Sequence, residues 1–240
     1  MIPIRDDIPS RRYPIVTVVL IVINVLAFFY ELLLGPEELQ RFFYAYAVVP
    51  VKYFAPGYFD WSGTFREYEA SELILPIFTA MFLHGGWLHL GGNMLYLWIF
   101  GDNVEDRMGH FRFLIFYLLC GVLATVAHVV TNAHSHVPSL GASGAISGVL
   151  GAYFMLYPGA RVVTLVPIWI FLHFVEIPAF FFLGFWFVQQ FFYGTLSLGV
   201  ESAQTGGVAW WAHIGGFVAG AVLVHLFKRR EYFRARRLSW

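Results

Sequence analysis

The amino-acid sequence predicts an all-α membrane protein in which six transmembrane helices form one bundle and both termini lie in the cytoplasm. Hydrophobic residues make up 59% of the 240 residues and charged residues only 12%, whereas charged residues make up about a quarter of a typical soluble domain. A straight helix needs about 20 apolar residues to cross a bilayer. Six apolar segments are predicted to be such spans, namely residues 14–34, 75–100, 111–130, 143–157, 177–196 and 208–227.

The positions of the basic residues set the predicted orientation. With the N-terminus inside and six spans, twelve of the 15 Lys and Arg residues lie on the inner side, and only Arg41, Lys52 and Arg66 lie outside. Short cytoplasmic loops of membrane proteins carry an excess of Lys and Arg, so this distribution supports both the number of spans and the orientation. The net charge is zero, and no nucleic-acid partner is predicted.

The chain is predicted to form a single membrane domain with a short cytoplasmic segment at each end. Residues 1–13 form the N-terminal segment, residues 14–227 the membrane domain, and residues 228–240 a basic tail. No small-residue cleavage site follows the first apolar run, so we interpret that run as a span and not as a cleavable signal peptide.

Two segments between the spans are predicted to lie at the membrane surface. Residues 35–75 interleave acidic and aromatic side chains, which suits the headgroup layer, and we expect short interfacial helices there. Residues 160–190 are too long and too apolar for one span with a tight turn, and Pro167 and Pro178 divide them, which sets residues 161–176 apart. This pattern favours a cytoplasmic-side interfacial hairpin before the fifth span.

A serine at the start of the fourth span is the candidate nucleophile. Ser143 lies in the first turn of a helix that enters the membrane from the outer side, and Gly141, Gly144 and Gly148 remove side chains around it. Small residues spaced four apart allow two membrane helices to approach closely. A serine hydroxyl is inert alone and needs a general base within hydrogen-bond reach.

His213 is the candidate base. It lies about five residues from the outer end of the sixth span, at a depth similar to that of Ser143, and Gly216 and Gly220 share its helical face. Glycine faces on the two spans would bring the imidazole to the hydroxyl. Neither span offers Asp or Glu, so the sequence predicts a serine–histidine dyad without a third acidic member.

Acyl transfer also needs donors that stabilise an oxyanion. His89 and Asn93 are four residues apart on one face of the second span, and both side chains can donate hydrogen bonds. Together with the backbone N–H of Ser143 they are the predicted oxyanion hole.

Each of these residues also has an ordinary structural interpretation. A serine in a membrane helix often donates to the carbonyl four residues earlier, and His or Asn often helps to pack helices. Ser147, one turn deeper than Ser143, is a rival nucleophile. His134 and His136 form a H-x-H motif, but no carboxylate or thiolate lies nearby, so neither a metal nor a cofactor is predicted.

Four short motifs stand in order along the chain. They are His84-Gly85-Gly86-Trp87-Leu88-His89-Leu90-Gly91-Gly92-Asn93, Glu105-Asp106-Arg107-Met108-Gly109, Gly141-Ala142-Ser143-Gly144, and Ala212-His213-Ile214-Gly215-Gly216 with Gly220. Together they resemble the rhomboid intramembrane serine proteases, over residues 45–227. The resemblance implies a six-helix bundle in which Ser143 and His213 hydrolyse peptide bonds in or near transmembrane helices of other proteins.

The resemblance also implies roles for residues around the dyad. His84 matches a family histidine near the active site, and Glu105 with Arg107 matches a structural motif on the inner side that joins spans two and three. Tyr153, ten residues after Ser143, is similar to the family tyrosine on which the catalytic histidine stacks. The implied partners are transmembrane substrates and the lipid bilayer, and the implied location is a multi-pass position in a prokaryotic plasma membrane.

Two other functions stay open at this point. A rhomboid-like protein that binds membrane helices without cutting them is the alternative to a protease, and a transporter is a weaker third. If the chain is a protease, the bulky aromatic residues of the fifth span make it the candidate gate for substrate entry.

Overall fold

The computed structural model describes residues 1–59, 62–169, 171–197 and 208–229. Within these ranges the chain forms eight α-helices, two short 3₁₀ turns at Pro50–Tyr53 and Ala80–Phe82, and five strands. The helices are α1 (Ile15–Glu31), α2 (Pro36–Tyr46), α3 (Ala70–Thr79), α4 (Trp87–Met108), α5 (His110–Thr131), α6 (Ser143–Leu156), α7 (Ala179–Ser197) and α8 (Trp210–Phe227). The strands are β1 (Ile2–Asp6), β2 (Gly57–Phe59), β3 (Phe65–Glu67), β4 (Arg161–Ile168) and β5 (Phe171–Pro178).

Several helices have the length and composition of membrane spans. Among the described residues, α5, α7 and α8 each qualify alone, and α3 with α4 forms a fourth candidate that is bent by 78°. The helices α1 and α6 are apolar but shorter. The mostly helical membrane fold predicted from the sequence is therefore observed, and a helix overlaps each of the six segments predicted as spans.

The prediction that the protein is all-α was wrong. Strands β1, β4 and β5 form an antiparallel sheet in that order, and β2 pairs with β3 within the segment where only interfacial helices were expected. The predicted hairpin after the fourth span is a β-hairpin. Its β-branched residues fit a pleated sheet, and Val162 and Thr164, two apart on one face of β4, are fully buried.

The second span differs from its predicted limits of residues 75–100. The chain bends between Phe82 and Trp87, and α4 then continues to Met108 through polar residues that were expected to form a loop. These residues stay helical because the N-terminal segment supplies partners for them. Asn103 donates to Asp6 at 3.0 Å, and Glu105 accepts hydrogen bonds from the start of α1.

Glu105 joins three helices at the end of the bundle where α1 and α5 begin. Its carboxylate is 1% exposed and accepts the N–H groups of Val16 and Thr17 at 2.9 and 2.8 Å. The first N–H groups of a helix lack partners within the helix, so Glu105 caps α1. It also contacts Nδ1 of His110 at the start of α5. The expected joint between spans two and three therefore extends to span one.

The short helix α6 lies at the centre of the bundle. It packs against α4, α5 and α8, and the ten residues from Gly144 to Tyr153 are all buried. Fourteen helical residues extend about 21 Å, which is less than the hydrocarbon thickness of about 30 Å. Because other helices surround it, α6 does not have to contact lipid along its length. Because it is short, it leaves room for a cavity at its N-terminal end.

Candidate active site

Ser143 and His213 are hydrogen-bonded to each other. The Ser143 hydroxyl at the start of α6 lies 2.8 Å from Nε2 of His213 on α8. The imidazole is 9% exposed, in the first turn of α8. The structure thus brings together the two residues that the sequence singled out as nucleophile and base.

Glycines allow α6 and α8 to approach closely enough for this contact. A methyl group on Gly216 would lie 2.1 Å from the carbonyl oxygen of Gly144, and one on Gly220 would lie 1.9 Å from that of Gly148. No carbon atom tolerates such distances, so any larger residue would separate the helices. The glycine faces predicted from spacing are the faces that pack.

The backbone before Ser143 is held in a conformation that requires glycine. Gly141 has a φ of +129°, and its N–H donates to the carbonyl of Ala80 at 2.8 Å. A methyl group at this position would lie 2.7 Å from Nε2 of His89 and 3.5 Å from the Ser143 hydroxyl oxygen. Gly141 therefore leaves a small space between the serine, the His89 ring and the first N–H groups of α6, which lack acceptors within the helix.

His89 borders this space, and Asn93, one turn further along α4, lines the adjoining cavity. The N–H of Gly85 donates to Nδ1 of His89 at 3.3 Å, so Nε2 carries the proton in the neutral ring and can donate toward Ser143. The Asn93 amide nitrogen lies 2.9 Å from Nε2 of His84. One amide hydrogen is used there, and the second is free to point elsewhere.

His84 has a supporting position behind Asn93. It is 1% exposed, and its ring packs edge-on against His89 with centroids 5.0 Å apart. Its backbone N–H donates to Glu31 at the end of α1, with N–O distances of 3.2 and 3.4 Å. His84 thus connects α1 to the residues beside the dyad.

Ser147 takes the structural role that a serine in a membrane helix often has. Its hydroxyl donates to the carbonyl of Ser143 at 2.6 Å, and the residue is 1% exposed. This bond occupies the hydroxyl proton within the helix. The geometry favours Ser143 over its rival.

The prediction that His213 stacks on Tyr153 was wrong. Its hydroxyl donates to Asp6, and its ring contacts Phe100 and Tyr157 toward the C-terminal end of α6. Ten helical residues place Tyr153 about 15 Å along the axis from Ser143, so it cannot support a histidine at the depth of the serine. Among the described residues, the rings that contact His213 are Trp186 and Trp210.

A cavity of about 790 Å³ opens beside the dyad. Its walls come from α4, α6, α7, α8 and the loop before α6, and include Ser143, His213, His89, Asn93, Trp186 and Trp210. Within residues 1–59, 62–169, 171–197 and 208–229, no group of three His, Cys, Asp or Glu side chains is arranged to hold a metal ion.

Sequence reasoning missed two polar residues near the site. Gln190 on α7 lies 2.8 Å from Nδ1 of His213 through its amide oxygen, and Glu31 supports His84. Both are polar side chains inside apolar helices, which is itself a signal because such residues usually face the interior of a bundle. The signal was overlooked because Gln190 lies within a run of aromatic residues and Glu31 is the last residue of α1.

The described helices form an apolar bundle in which a serine and a histidine are hydrogen-bonded beside a cavity. A serine paired with a histidine in this way is typical of hydrolases. The model of the rhomboid domain matches residues 71–230, about two thirds of the chain. The chain belongs to the rhomboid family, and it is a membrane protein of a family of proteases.

Named relatives agree with this membership. The rhomboid protease GluP of Bacillus subtilis is 45% identical over 76 residues, which cover 32% of this chain and 14% of GluP. Rhomboid protein 1, mitochondrial, of Saccharomyces cerevisiae is 35% identical over 105 residues, 42% of this chain and 30% of that protein. Presenilin-associated rhomboid-like protein A, mitochondrial, of Danio rerio is 37% identical over 97 residues, 39% of this chain and 25% of that protein. The matched regions span less than a third of each relative.

Proposed function

We propose that this protein is an intramembrane serine endopeptidase that hydrolyses peptide bonds in or near the transmembrane helices of other membrane proteins. The observation that carries the proposal is the 2.8 Å contact between the Ser143 hydroxyl and Nε2 of His213. A hydroxyl becomes a nucleophile when a base within hydrogen-bond distance can take its proton. The dyad lies beside a cavity within a bundle of apolar helices, so the bonds it reaches are those of a chain that enters the membrane.

Acylation of Ser143 would follow from this geometry. The Ser143 oxygen attacks the carbonyl carbon of the scissile bond while its proton passes to Nε2 of His213. The tetrahedral intermediate then collapses, the C–N bond breaks, and the protonated His213 gives its proton to the leaving amine. The acyl group stays on Ser143 as an ester.

The negative charge of the intermediate would be held by donors around Gly141. The N–H of Ser143, Nε2–H of His89 and the second amide hydrogen of Asn93 all belong to groups beside this space. Such preorganised donors stabilise the oxyanion by about 3–4 kcal/mol each where they have been removed by mutation. The absence of a side chain at Gly141 keeps the position open for the substrate oxygen.

Water from the cavity would complete the cycle. His213 takes a proton from a water molecule, the resulting hydroxide attacks the ester carbon, and the proton returns to the Ser143 oxygen as the acid product leaves. Substrate helices would have to unwind near the site, because a continuous helix uses its carbonyl groups in its own hydrogen bonds. Small or helix-breaking residues near the cut are the expected preference.

We further propose that α1, α4, α5, α6, α7 and α8 are six spans of one membrane domain, residues 14–227, with both termini in the cytoplasm. The basic residues support this orientation, since twelve of the 15 lie on the proposed inner side. In this topology Ser143 and His213 lie near the outer face. The basic tail, residues 228–240, extends beyond the described residues after residue 229, and the predicted outer loop before α8 lies outside them from residue 198 to 207. A prokaryotic plasma membrane is the proposed location.

Labelling with a fluorophosphonate, which reacts with activated serines, tests the proposal. The wild type, Ser143→Ala and His213→Ala are compared in detergent, and Ser71→Ala, which removes an exposed serine on α3, is the matched control. We expect the wild type and Ser71→Ala to be labelled and the two dyad variants to be unlabelled. Labelling that persists in Ser143→Ala would overturn the assignment of the nucleophile. A folded wild type that takes up no label would favour a rhomboid-like protein that binds helices without cutting them.

A further inference from the structure

Gln190 is the one buried residue of α7 with a polar side chain. The other buried residues of this helix are Ala179, Phe182, Leu183 and Gly194, while Gln190 is 5% exposed. Its amide oxygen lies 2.8 Å from Nδ1 of His213. A buried amide costs free energy unless it is hydrogen-bonded, and His213 supplies the partner.

This hydrogen bond fixes which nitrogen of His213 carries the proton. An amide oxygen can only accept a hydrogen bond, so Nδ1 of the neutral imidazole must be the donor. The lone pair then lies on Nε2, the nitrogen that faces the Ser143 hydroxyl at 2.8 Å. The serine proton can move only to a nitrogen with a free lone pair, so this tautomer is the one that accepts it.

The same helix also restrains the plane of the imidazole. Trp186, one turn before Gln190 on α7, packs on the His213 ring with centroids 5.9 Å apart and an interplanar angle of 32°. Trp210 meets the ring edge-on at 86°. A hydrogen bond to Nδ1 and a ring on one face together leave the imidazole little freedom to rotate away from the serine.

We infer that Gln190 is a positioning residue that holds His213 in the tautomer and orientation needed to take the serine proton. This inference rests on the proposed function, because it concerns the same dyad. Gln190 takes the place of the carboxylate that orients the histidine in a serine–histidine–aspartate triad. A neutral acceptor performs this task without burying a second charge in the membrane.

The rate of fluorophosphonate labelling at several probe concentrations tests the inference, because it separates probe binding from the chemical step. Gln190→Met keeps the length and apolar volume of the side chain and removes the acceptor. Gln190→Glu keeps an acceptor oxygen in the same place. Gln189→Met, at the exposed neighbouring glutamine, is the matched control.

We expect the maximal labelling rate of Gln190→Met to fall roughly tenfold, the effect of losing one net hydrogen bond, while the probe concentration at half-maximal rate stays unchanged. Gln190→Glu is expected to label at a rate close to that of the wild type, and Gln189→Met at the wild-type rate. Thermal unfolding of each variant in detergent shows whether it is folded.

Two results would overturn the inference. One is a wild-type rate for a folded Gln190→Met. The other is an equal loss in Gln190→Met and Gln190→Glu, since packing and not acceptance would then explain the effect. Absence of label on the folded wild type would instead contradict the proposed function, so the two failures are distinguishable.

Nitrogen NMR of the wild type with labelled histidine gives a second and independent readout. The His213 signals, assigned by comparison with His213→Ala, are expected to show a proton on Nδ1. A proton on Nε2 in the resting protein would contradict the role of Gln190.

Discussion

Glu105 of α4 and Thr17 of α1 are joined by two hydrogen bonds across 88 residues of sequence. The Glu105 carboxylate accepts the Thr17 backbone N–H at 2.8 Å and the Thr17 hydroxyl at 2.7 Å. Because Thr17 is fully buried and Glu105 nearly so, these bonds are shielded from water. They place the start of α1 at a fixed height against α4, so Glu105 acts as a structural joint between the two helices.

Glu105→Ala is expected to lower the free energy of unfolding by about 3 kcal/mol, since buried donors left without an acceptor cost about 1–3 kcal/mol each. Thermal unfolding in detergent measures this loss. Glu37→Ala is the control, because the Glu37 side chain is 90% exposed and its pair with Arg41, at 3.8 Å, lies in solvent. An exposed pair contributes about 0–1 kcal/mol. Equal losses in the two variants would contradict the assigned joint.

Gly216→Ala is expected to abolish fluorophosphonate labelling. The added methyl would lie 2.1 Å from the Gly144 carbonyl oxygen, and backbone cannot move aside as a flexible side chain can. The helices α6 and α8 would separate, which takes His213 away from Ser143. The expected loss of stability is about 1–3 kcal/mol or more.

The control for this change is Gly91→Ala on α4, where an added methyl meets nothing within 4 Å. It should label at the wild-type rate. If Gly216→Ala were also labelled normally, the close packing of α6 and α8 could not be a requirement for the dyad.

Asp6 is expected to make the stability of the protein depend on pH. Burial raises the pKa of Asp6 from its ordinary 3.8 to about 6, and the charges of Asp102 and Asp7 act in the same direction while the hydrogen bond from Tyr153 opposes it. The folded protein therefore holds this proton at pH values where the unfolded chain has released it. Its stabilising contribution is present at about pH 4 and is lost as the pH rises through 6.

Thermal unfolding of the wild type and Asp6→Asn between pH 4 and pH 7 checks this dependence. The unfolding temperature of the wild type should fall relative to that of the variant as the pH increases. A constant difference across this range would show that Asp6 does not titrate between its unfolded and folded pKa values.

The tip of the β4–β5 hairpin is expected to contact lipid. Trp169 at the turn is 97% exposed, and Phe171 and Phe174 on β5 are 64% and 70% exposed. Because neighbouring residues of β5 point to opposite faces, apolar side chains cover both faces of the tip. Immersion in the membrane interface buries both, and Trp is typical of that layer.

A nitroxide label at Trp169→Cys measures this contact by electron paramagnetic resonance in liposomes. Native Cys120 is buried and should not react. The label at residue 169 should collide more with oxygen, which partitions into lipid, than with a water-soluble nickel complex. Glu37→Cys, at an exposed acidic position on α2, should show the opposite preference. A nickel preference at residue 169 would place the tip in water.

The dyad could be predicted from sequence because its geometry depends on regular helices. Ser143 and His213 each lie in the first turn of an apolar helix, and glycines at helical spacing mark the faces that pack. Depth and face are then enough to bring two side chains together. The same reasoning placed His89 beside the serine.

Tyr153 shows the limit of transferring a role by spacing. Its place after Ser143 in the sequence suggested a contact with the catalytic histidine. Ten residues of α-helix are about three turns, so Tyr153 lies far from the dyad, and its hydroxyl donates to Asp6. The aromatic contacts of His213 come instead from Trp186 on α7 and Trp210 on α8. The adjacent glutamines Gln189 and Gln190 mark two different sides of the otherwise apolar α7, and the sequence does not show which of them faces the histidine.

The addition of β1 to the β4–β5 hairpin could not be predicted because β1 and β4 are far apart in sequence. Ile2 pairs with Leu165, and a five-residue strand near the N-terminus has no periodicity long enough to identify it. Hydrophobic runs around Pro167 also fit a buried helix segment as well as a strand. The pairing partner decides between them, and six helices separate β1 from β4 in the sequence.

The pairing of β1 with β4 has a consequence for the synthesis of the protein. The ribosome makes residues 2–6 well before β4, which leaves it only after the helices α1 to α6 have been translated. The segment that forms β1 must therefore stay unpaired while these helices are made. Adding β1 to the hairpin is a late folding step, and it joins residues 2–6 to the strand that follows the helix carrying Ser143.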